Sequence, residues 1–233
     1  MKFISQPVKI TLGEIKVDPK FNQMNIVRKH GPLLPNNIRA IICGPSNSGK
    51  TNVLLNLIYS ENGLAFENIY LYSKSRYQPK YLELEEILKK TPEIGYFPFD
   101  DNESVIPPNE ARQNSIFIFD DVACERQEHI RAYFCMGRHR NVDSFYLAQT
   151  YTRIPKHLVR DNANFLILFR QDHLNLRHIY NDHVNTDMSF KEFCDMCGKC
   201  WNSSDYQCFV VDKTKEVNDG RYRRGFDEYI MNE

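Results

Sequence analysis

The feature that most constrains the fold of this 233-residue chain is a short glycine-containing loop between two apolar segments. The loop is the octet Gly44-Pro45-Ser46-Asn47-Ser48-Gly49-Lys50-Thr51. It follows a strand-like run, residues 38–43, and opens a helix-like run, residues 51–59. A strand, a tight loop and a helix in direct succession are a building unit of α/β folds. The alternative is that these glycines occur in a turn by chance. Such a turn would not require an apolar run on each side, whereas both runs are present here.

The composition of the octet predicts a loop that binds phosphate groups. Closely spaced glycine and small residues let backbone N–H groups surround an anion without obstruction by Cβ atoms. The N-terminus of the following helix adds the positive end of its dipole. In such a loop Lys50 reaches the β- and γ-phosphates of a nucleotide, and the hydroxyl of Thr51 binds Mg²⁺. The expected ligands are therefore ATP and Mg²⁺.

Along the rest of the chain, strand-like and helix-like segments alternate, which predicts an α/β fold with a mostly parallel central sheet and flanking helices. The strand candidates are residues 38–43, 69–73, 116–119, 144–148, 165–169 and 207–211. The helix candidates are residues 51–59, 81–90, 127–138, 174–180 and 190–199. Residues 92–114 are rich in proline and polar residues and are interpreted as a long surface excursion. The predicted organisation is an N-terminal extension packing on the core (1–37), the core itself (38–212) and a basic C-terminal tail (213–233).

Composition excludes several classes of protein. Thirty basic residues balance thirty acidic ones, so the whole chain has no long-range field for nucleic acid, and any DNA contact must be a local patch. No run approaches the roughly 18 apolar residues of a membrane span, so no membrane partner is expected. The N-terminus lacks the apolar core of a secretory signal. Seven cysteines, an odd number, fit a reducing intracellular compartment.

Two adjacent acids follow the apolar run 116–119. Because ligands of open α/β sheets bind at the carboxyl ends of strands, Asp120 and Asp121 are expected beside the glycine-containing loop. Asp120 is the candidate for holding Mg²⁺ through its water shell, and Asp121 for polarising the attacking water. The alternative, a solvated Asp pair that merely ends a strand, is favoured only in a chain without a phosphate-binding loop.

A further apolar strand, residues 144–148, ends in Gln149. In ATPases with an additional central strand, a polar residue at this position senses the γ-phosphate and orients water. Gln149 is therefore the sensor candidate. Taken alone, it could equally be a glutamine that faces solvent at the end of a strand.

The turn before this strand is basic and contains Arg138 and Arg140. A guanidinium group there can project from the edge of one subunit into the nucleotide site of its neighbour. Such an arginine finger neutralises charge on the γ-phosphoryl group and is typically worth about 10³ to 10⁵ in rate. The alternative is that both arginines interact with the dipole at the C-terminus of the preceding helix.

The ordered set of these motifs resembles the FtsK/HerA superfamily and, more narrowly, viral genome-packaging ATPases. The closest pattern is that of large DNA viruses, virophages and Maverick/Polinton or adintovirus-like elements, over about residues 38–226. The resemblance implies a RecA-like P-loop NTPase core that assembles into a homo-oligomeric ring and uses ATP to move double-stranded DNA into a capsid. Matched by position, Lys50 and Thr51 are the nucleotide and Mg²⁺ residues, and Asp120 is the metal acid.

By the same resemblance, Gln149 is the sensor and Arg138 the arginine that acts on a neighbouring subunit. One departure is Asp121, since many motors of the superfamily have Glu there. The implied location is inside the host cell, in the nucleus or a cytoplasmic virus factory, or with the virion. Two alternatives remain open: a cellular DNA translocase or helicase of the same superfamily, and a scaffold in which ATP governs assembly without being hydrolysed at an appreciable rate.

Two other clusters of side chains are candidates for binding. Four thiols, those of Cys194, Cys197, Cys200 and Cys208, could hold zinc. Their helical spacing with phenylalanine and tryptophan instead favours packing of the thiols as small apolar groups. The arginines at positions 221, 223 and 224 could contact phosphates, or they could belong to a solvated basic tail.

Overall fold

The computed structural model describes residues 30–203 and 206–231. Its strands are β1 (Arg39–Cys43), β2 (Asn68–Ser73), β3 (Gly95–Phe99), β4 (Ser115–Asp120), β5 (Val142–Ala148), β6 (Phe165–Leu168), β7 (Phe209–Asp212), β8 (Tyr222–Arg224) and β9 (Glu228–Tyr229). Its α-helices are α1 (Lys50–Tyr59), α2 (Pro79–Lys89), α3 (Glu128–Met136), α4 (His173–His183) and α5 (Phe190–Trp201). None of the helices in this part of the chain has the length and hydropathy needed to cross a bilayer.

The strands of the described residues form one sheet in the order β3-β2-β4-β5-β1-β6-β7-β8-β9. Neighbours from β3 to β6 are parallel, whereas β7, β8 and β9 are each antiparallel to the strand before them. β5 lies between β1 and β4. The strand that leads into the glycine-containing loop and the strand that ends in two acids therefore terminate at the same edge, with one strand between them.

The sheet is buried on both faces because its central strands are apolar almost throughout. In β4, Ile116 and Ile118 pack in one apolar cluster, whereas Phe117 and Phe119 pack in the other. Helices α1 and α2 contribute to the first cluster, and α3, α4 and α5 contribute to the second. The predicted α/β class, with a mostly parallel sheet between flanking helices, is confirmed.

The interpretation of residues 92–114 as a surface excursion was wrong for one part, because Gly95–Phe99 forms β3. β3 pairs in parallel with β2, and the ring of Phe97 stacks on Tyr70 with centroids 4.8 Å apart. Pro98 lacks the N–H of a ladder hydrogen bond, which is tolerated here because β3 is an edge strand. Proline and partial exposure concealed this strand in the sequence.

The segment expected as a basic tail, residues 213–233, instead continues the sheet through β8 and β9. Each of its three clustered arginines is paired with a carboxylate. The pairs are Arg221–Asp187, Arg223–Asp212 and Arg224–Glu228. Because these guanidinium groups are held by intramolecular partners, the cluster is part of the fold and not a solvated tail.

Most of the predicted N-terminal extension, residues 1–29, lies outside the described residues. The remainder contacts the sheet through His30, which is buried. Its Nδ1 accepts a hydrogen bond from the N–H of Ala65 at 3.0 Å, so the ring proton is on Nε2. Nε2 donates to Asp143 Oδ2 at 2.9 Å, and Asp143 Oδ1 accepts from the N–H of Ile38 at 2.8 Å. These bonds attach residue 30 to the start of β1 and to β5.

Candidate functional site

A cleft of about 580 Å³ lies at the carboxyl edge of the parallel strands. It is bounded by the loop after β1, the acids that follow β4 and the residues that follow β5. Because β5 separates β1 from β4, the cleft has three walls that come from three adjacent strand ends. This is where open α/β sheets bind their ligands.

The glycine-containing loop folds in the way its composition predicts. Gly49 has φ of 105° at the N-cap of α1, which is the left-handed region that favours glycine. A Cβ atom on Gly44 would lie 2.5 Å from Cβ of Phe169 and 2.8 Å from Oγ of Ser48. The loop therefore requires glycine at both ends to reach this shape. Within the described residues, the buried Oγ of Ser48 has no hydrogen-bond partner, which suits a polar ligand in the loop.

Lys50 lies across the loop in this structure. Its Nζ donates to the carbonyl oxygens of Gly44 at 2.7 Å and Pro45 at 2.8 Å. Burial lowers the pKa of Lys50, and the charge of Asp120 acts in the opposite direction. The ammonium group is thus held where the loop surrounds the ligand space, facing the acids across the cleft.

Asp120 ends β4 and is buried. Its Oδ2 accepts hydrogen bonds from the hydroxyl of Tyr81 at 2.7 Å and from Nε2 of Gln78 at 3.4 Å. Burial raises the pKa of Asp120, while the hydrogen bond from Tyr81 and the charge of Lys50 partly offset that effect. The Tyr81 hydroxyl also lies near the side chain of Thr51, so one buried tyrosine is close to both residues predicted to bind Mg²⁺.

Asp121 lies outside the strand, is exposed and has φ of 56°. Its Oδ2 accepts a hydrogen bond from the hydroxyl of Ser75 at 2.6 Å. The left-handed backbone turns this second carboxylate away from the strand direction and into the cleft lining. The two acids are therefore adjacent in sequence but occupy different environments.

The third wall of the cleft follows β5 and contains Gln149 and Thr150. Gln149 is exposed and lies among the same lining residues as Lys50 and the two acids. Arg153, which the sequence did not single out, also lines the cleft and is exposed. No side-chain hydrogen bond or ion pair to Arg153 is found within the described residues.

Arg138 and Arg140 are not brought to this cleft. They lie in the short 3₁₀ turn Gly137–Arg140, just before β5 begins, at the opposite edge of the sheet. Seven residues of β5 separate the two edges, which is roughly 20 Å of extended chain. Arg138 is exposed, whereas Arg140 is half-buried and its Nη2 donates to the carbonyl of Ala111 at 3.4 Å. Neither guanidinium group is placed to act in the site of its own chain.

The thiols for which zinc binding was the less favoured alternative are divided between two environments. Cys197 and Cys200 pack with Phe193 and Trp201 in one apolar cluster, and Cys208 packs in the other. Burial raises the pKa of Cys200 to about 11 and that of Cys208 to about 12, which disfavours the thiolates that bind metals. In residues 30–203 and 206–231, no group of three or more His, Cys, Asp or Glu side chains could hold a metal ion.

Besides Arg153, sequence reasoning missed three residues of this site, namely Ser75, Gln78 and Tyr81. They belong to the loop after β2 and to the start of α2. They reach the acids only because β2 lies beside β4 in the sheet, an adjacency that no local sequence pattern specifies. A tyrosine two residues into a helix looks like any core residue.

The fold and the cleft together define the class of protein. A phosphate-binding loop between β1 and α1, acids at the end of β4 and an additional strand between them form a RecA-like P-loop NTPase core. The family model described as "Poxvirus A32 protein" matches residues 27–197. The chain belongs to this family. It is a viral genome-packaging ATPase.

Solved structures with a similar fold come from a virus of an archaeon. The genome packaging NTPase B204 of Sulfolobus turreted icosahedral virus 2, in complex with sulfate, superposes with a TM-score of 0.56 at 12% identity. That alignment covers 84% of this chain and 98% of B204. The complex of B204 with AMPPCP gives a TM-score of 0.51, also at 12% identity, and covers 78% and 95% of the two chains. No curated protein gives a significant sequence match to this chain.

Proposed function

We propose that this ATPase is a ring-forming motor whose clefts hydrolyse ATP to move double-stranded DNA into a viral capsid. The main support for this proposal is that the candidate catalytic residues lie at two opposite edges of one sheet. The phosphate loop and the acids lie at the carboxyl edge, and Arg138 lies at the amino edge. A chain built in this way supplies a nucleotide site on one side and a guanidinium group on the other.

The proposed binding of nucleotide uses the loop and the start of α1. Backbone N–H groups of the loop after Pro45 surround the phosphates, and Lys50 exchanges its two carbonyl partners for phosphate oxygens. Thr51, through its hydroxyl, and Asp120, through the water shell of the ion, would hold Mg²⁺, which would neutralise phosphate charge. Oxygen ligands are those that Mg²⁺ prefers, and the buried hydroxyl of Tyr81 donates a hydrogen bond to Asp120 and lies near the side chain of Thr51.

The proposed hydrolytic step depends on residues at the other two walls. Asp121 orients and polarises the attacking water, and Gln149 responds to the γ-phosphate through its amide. Both side chains are exposed to the cleft, so water has access to them. B204, which has the same fold, has been solved in complex with ATP-gammaS, a nucleotide triphosphate analogue.

The ring assembly follows from the position of Arg138. Because it is exposed at the edge opposite its own cleft, it acts in hydrolysis only if another subunit presents a cleft to that edge. A head-to-tail interface of this kind repeats around a closed ring. Arg140 is the second candidate, but its contact with Ala111 leaves it less free to extend.

The proposed partners are double-stranded DNA, other copies of the chain and capsid proteins, in the nucleus or cytoplasmic virus factory of the host cell. With 30 basic and 30 acidic residues, the chain does not attract DNA as a whole. The pairing of the arginines of β8 with carboxylates also removes them as a free phosphate-binding patch. DNA contact therefore depends on assembly, which places the same local surface of several subunits around one duplex.

The experiment that tests this function is ATP turnover with and without linear double-stranded DNA. We expect the wild type to be stimulated by DNA. Lys50→Ala should be inactive because it removes a phosphate contact, and Asp120→Asn because it weakens Mg²⁺ binding. Lys90→Ala, at the exposed end of α2, is the control and should behave as the wild type. Turnover of either site variant within a factor of about 3 of wild type would refute the site. Negligible turnover that DNA does not stimulate would favour the alternative of a scaffold, in which ATP governs assembly without being hydrolysed at an appreciable rate.

A further inference from the structure

The loop between β2 and α2, residues 74–78, contacts the acids that end β4. β2 is paired in parallel with β4 along its whole length, with Ser73 opposite Asp120. The loop that leaves β2 therefore begins beside the end of β4. At this point the hydroxyl of Ser75 donates to Asp121 Oδ2 at 2.6 Å.

The backbone of Ser75 is itself fixed on both sides. Its N–H donates to Oγ of the buried Ser73 at 3.1 Å. Its carbonyl oxygen accepts from the N–H of Gln78 at 3.1 Å, which closes the turn before α2. The hydroxyl group is thus presented to Asp121 from a turn with little freedom to move, and its position is a property of the fold.

Asp121 has much less support of its own. It is exposed, it follows the last residue of the strand, and its backbone is in the left-handed region. An aspartate has one methylene less than a glutamate, so its carboxylate reaches less far toward a water in the cleft and depends more on how the side chain is held. The hydrogen bond from Ser75 fixes one carboxylate oxygen and leaves the other for water.

Asp120 is held by the same segment but through different residues. Tyr81 and Gln78 donate to its Oδ2, whereas the Ser75 hydroxyl donates to Asp121. Loss of the Ser75 hydroxyl therefore removes support from Asp121 and leaves the contacts of Asp120 in place. This separation permits a test that distinguishes the two acids.

We propose that Ser75 is a positioning residue for ATP hydrolysis, which holds the carboxylate of Asp121 toward the attacking water. The inference rests on the proposed role of Asp121. Ser75 does not contact the nucleotide in this account. It acts on the rate of the chemical step and not on binding, because water is oriented only after ATP has bound.

The first test is steady-state and binding analysis of Ser75→Ala and Ser75→Thr. We expect Ser75→Ala to lower kcat about tenfold, a fraction of the 10²- to 10⁴-fold that a general base is worth, with KM and nucleotide affinity unchanged. Ser75→Thr keeps the hydroxyl and should restore most of the rate. Ser104→Ala is the control, since it removes a serine hydroxyl from a different exposed loop. Wild-type kcat in Ser75→Ala, or equal loss in Ser75→Thr, would overturn the proposal.

The second test is a double-mutant cycle with Asp121→Asn, whose residual turnover is measured at high enzyme concentration. If Ser75 acts through Asp121, adding Ser75→Ala to Asp121→Asn causes no further loss. A double variant that loses the product of the two single effects would show that Ser75 acts elsewhere. Wild-type turnover of Asp121→Asn itself would instead refute the role of Asp121 in the proposed function. Equal thermal unfolding midpoints exclude a loss of fold as the cause.

Discussion

At the scale of single residues, the titratable groups away from the cleft are mostly fixed by specific partners. His183, at the end of α4, is an example. Nδ1 of its ring accepts a hydrogen bond from Nζ of Lys213 at 3.2 Å. Its Nε2–H therefore donates to the hydroxyl of Tyr151 at 2.7 Å, and that hydroxyl donates to Asp182 Oδ2 at 3.0 Å. The chain of donors is consistent only with a neutral imidazole.

Burial lowers the pKa of His183 to about 3, and the nearby positive charges of Lys213, Arg160 and Arg221 add to the effect. Since the pKa in the folded state lies below that of an unfolded chain, the unfolded state takes up a proton first as the pH falls. The contribution of His183 to the free energy of unfolding is therefore fully present above about pH 6.5 and is lost as the pH falls.

We predict that the free energy of unfolding falls between pH 7 and pH 5 by about 2 kcal/mol more in the wild type than in His183→Gln. Urea denaturation of both proteins at several pH values measures the free energy of unfolding of each. The contributions of the other titrating groups cancel when the two pH dependences are subtracted. Parallel stability curves for the two proteins would contradict the assignment of a neutral, buried imidazole.

At the scale of elements, β8 shows how charge is used to extend a sheet. Arg223 and Asp212 are both almost fully buried, with Nη2 and Oδ2 2.9 Å apart. Arg224, on the same strand, pairs with Glu228 at the surface. Burial of a charge is costly unless a partner remains, whereas exposed ion pairs contribute little.

We predict that Arg223→Ala destabilises the protein by about 3–5 kcal/mol, because it leaves the carboxylate of Asp212 buried without its partner. The matched variant Arg224→Ala should cost no more than about 1 kcal/mol. Chemical denaturation of both variants measures the two changes. Small and equal effects would mean that β8 is not docked on β7 as described.

Much of the fold could be predicted because buried parallel strands are recognisable as apolar runs. Each of the six predicted strands and five predicted helices has a counterpart, with small shifts at the ends. β3 was missed because Pro98 interrupts it, and β8 because its arginines resemble a solvated tail. β3 and β8 are both stabilised by pairing with a neighbouring strand. The local sequence does not show which strand that neighbour is.

The candidate site could be predicted only where local sequence determines it. The phosphate loop and the two acids belong to strand ends whose signals are continuous in the chain. Ser75, Tyr81 and Arg153 depend instead on which strands become neighbours, so nothing in their own surroundings indicated them. The roles of the predicted site residues stay predictions until variants are measured.

At the scale of the whole molecule, the two edges of the sheet have different tasks in this account. The carboxyl edge binds ATP and carries the acids, and the amino edge exposes Arg138. A single subunit therefore has an incomplete catalytic site, and a ring completes every site with one arginine from the adjacent copy.

The most direct test of this account mixes two inactive variants, Lys50→Ala and Arg138→Ala, in equal amounts and measures ATP turnover. Random mixing gives about a quarter of the interfaces an intact Lys50 facing an intact Arg138, so turnover should reappear at roughly that fraction of wild type. Mass measurement of the mixed rings establishes co-assembly. We expect recovered activity in the mixed rings. Co-assembled rings as inactive as either variant alone, or Arg138→Ala rings that hydrolyse ATP at the wild-type rate, would contradict it.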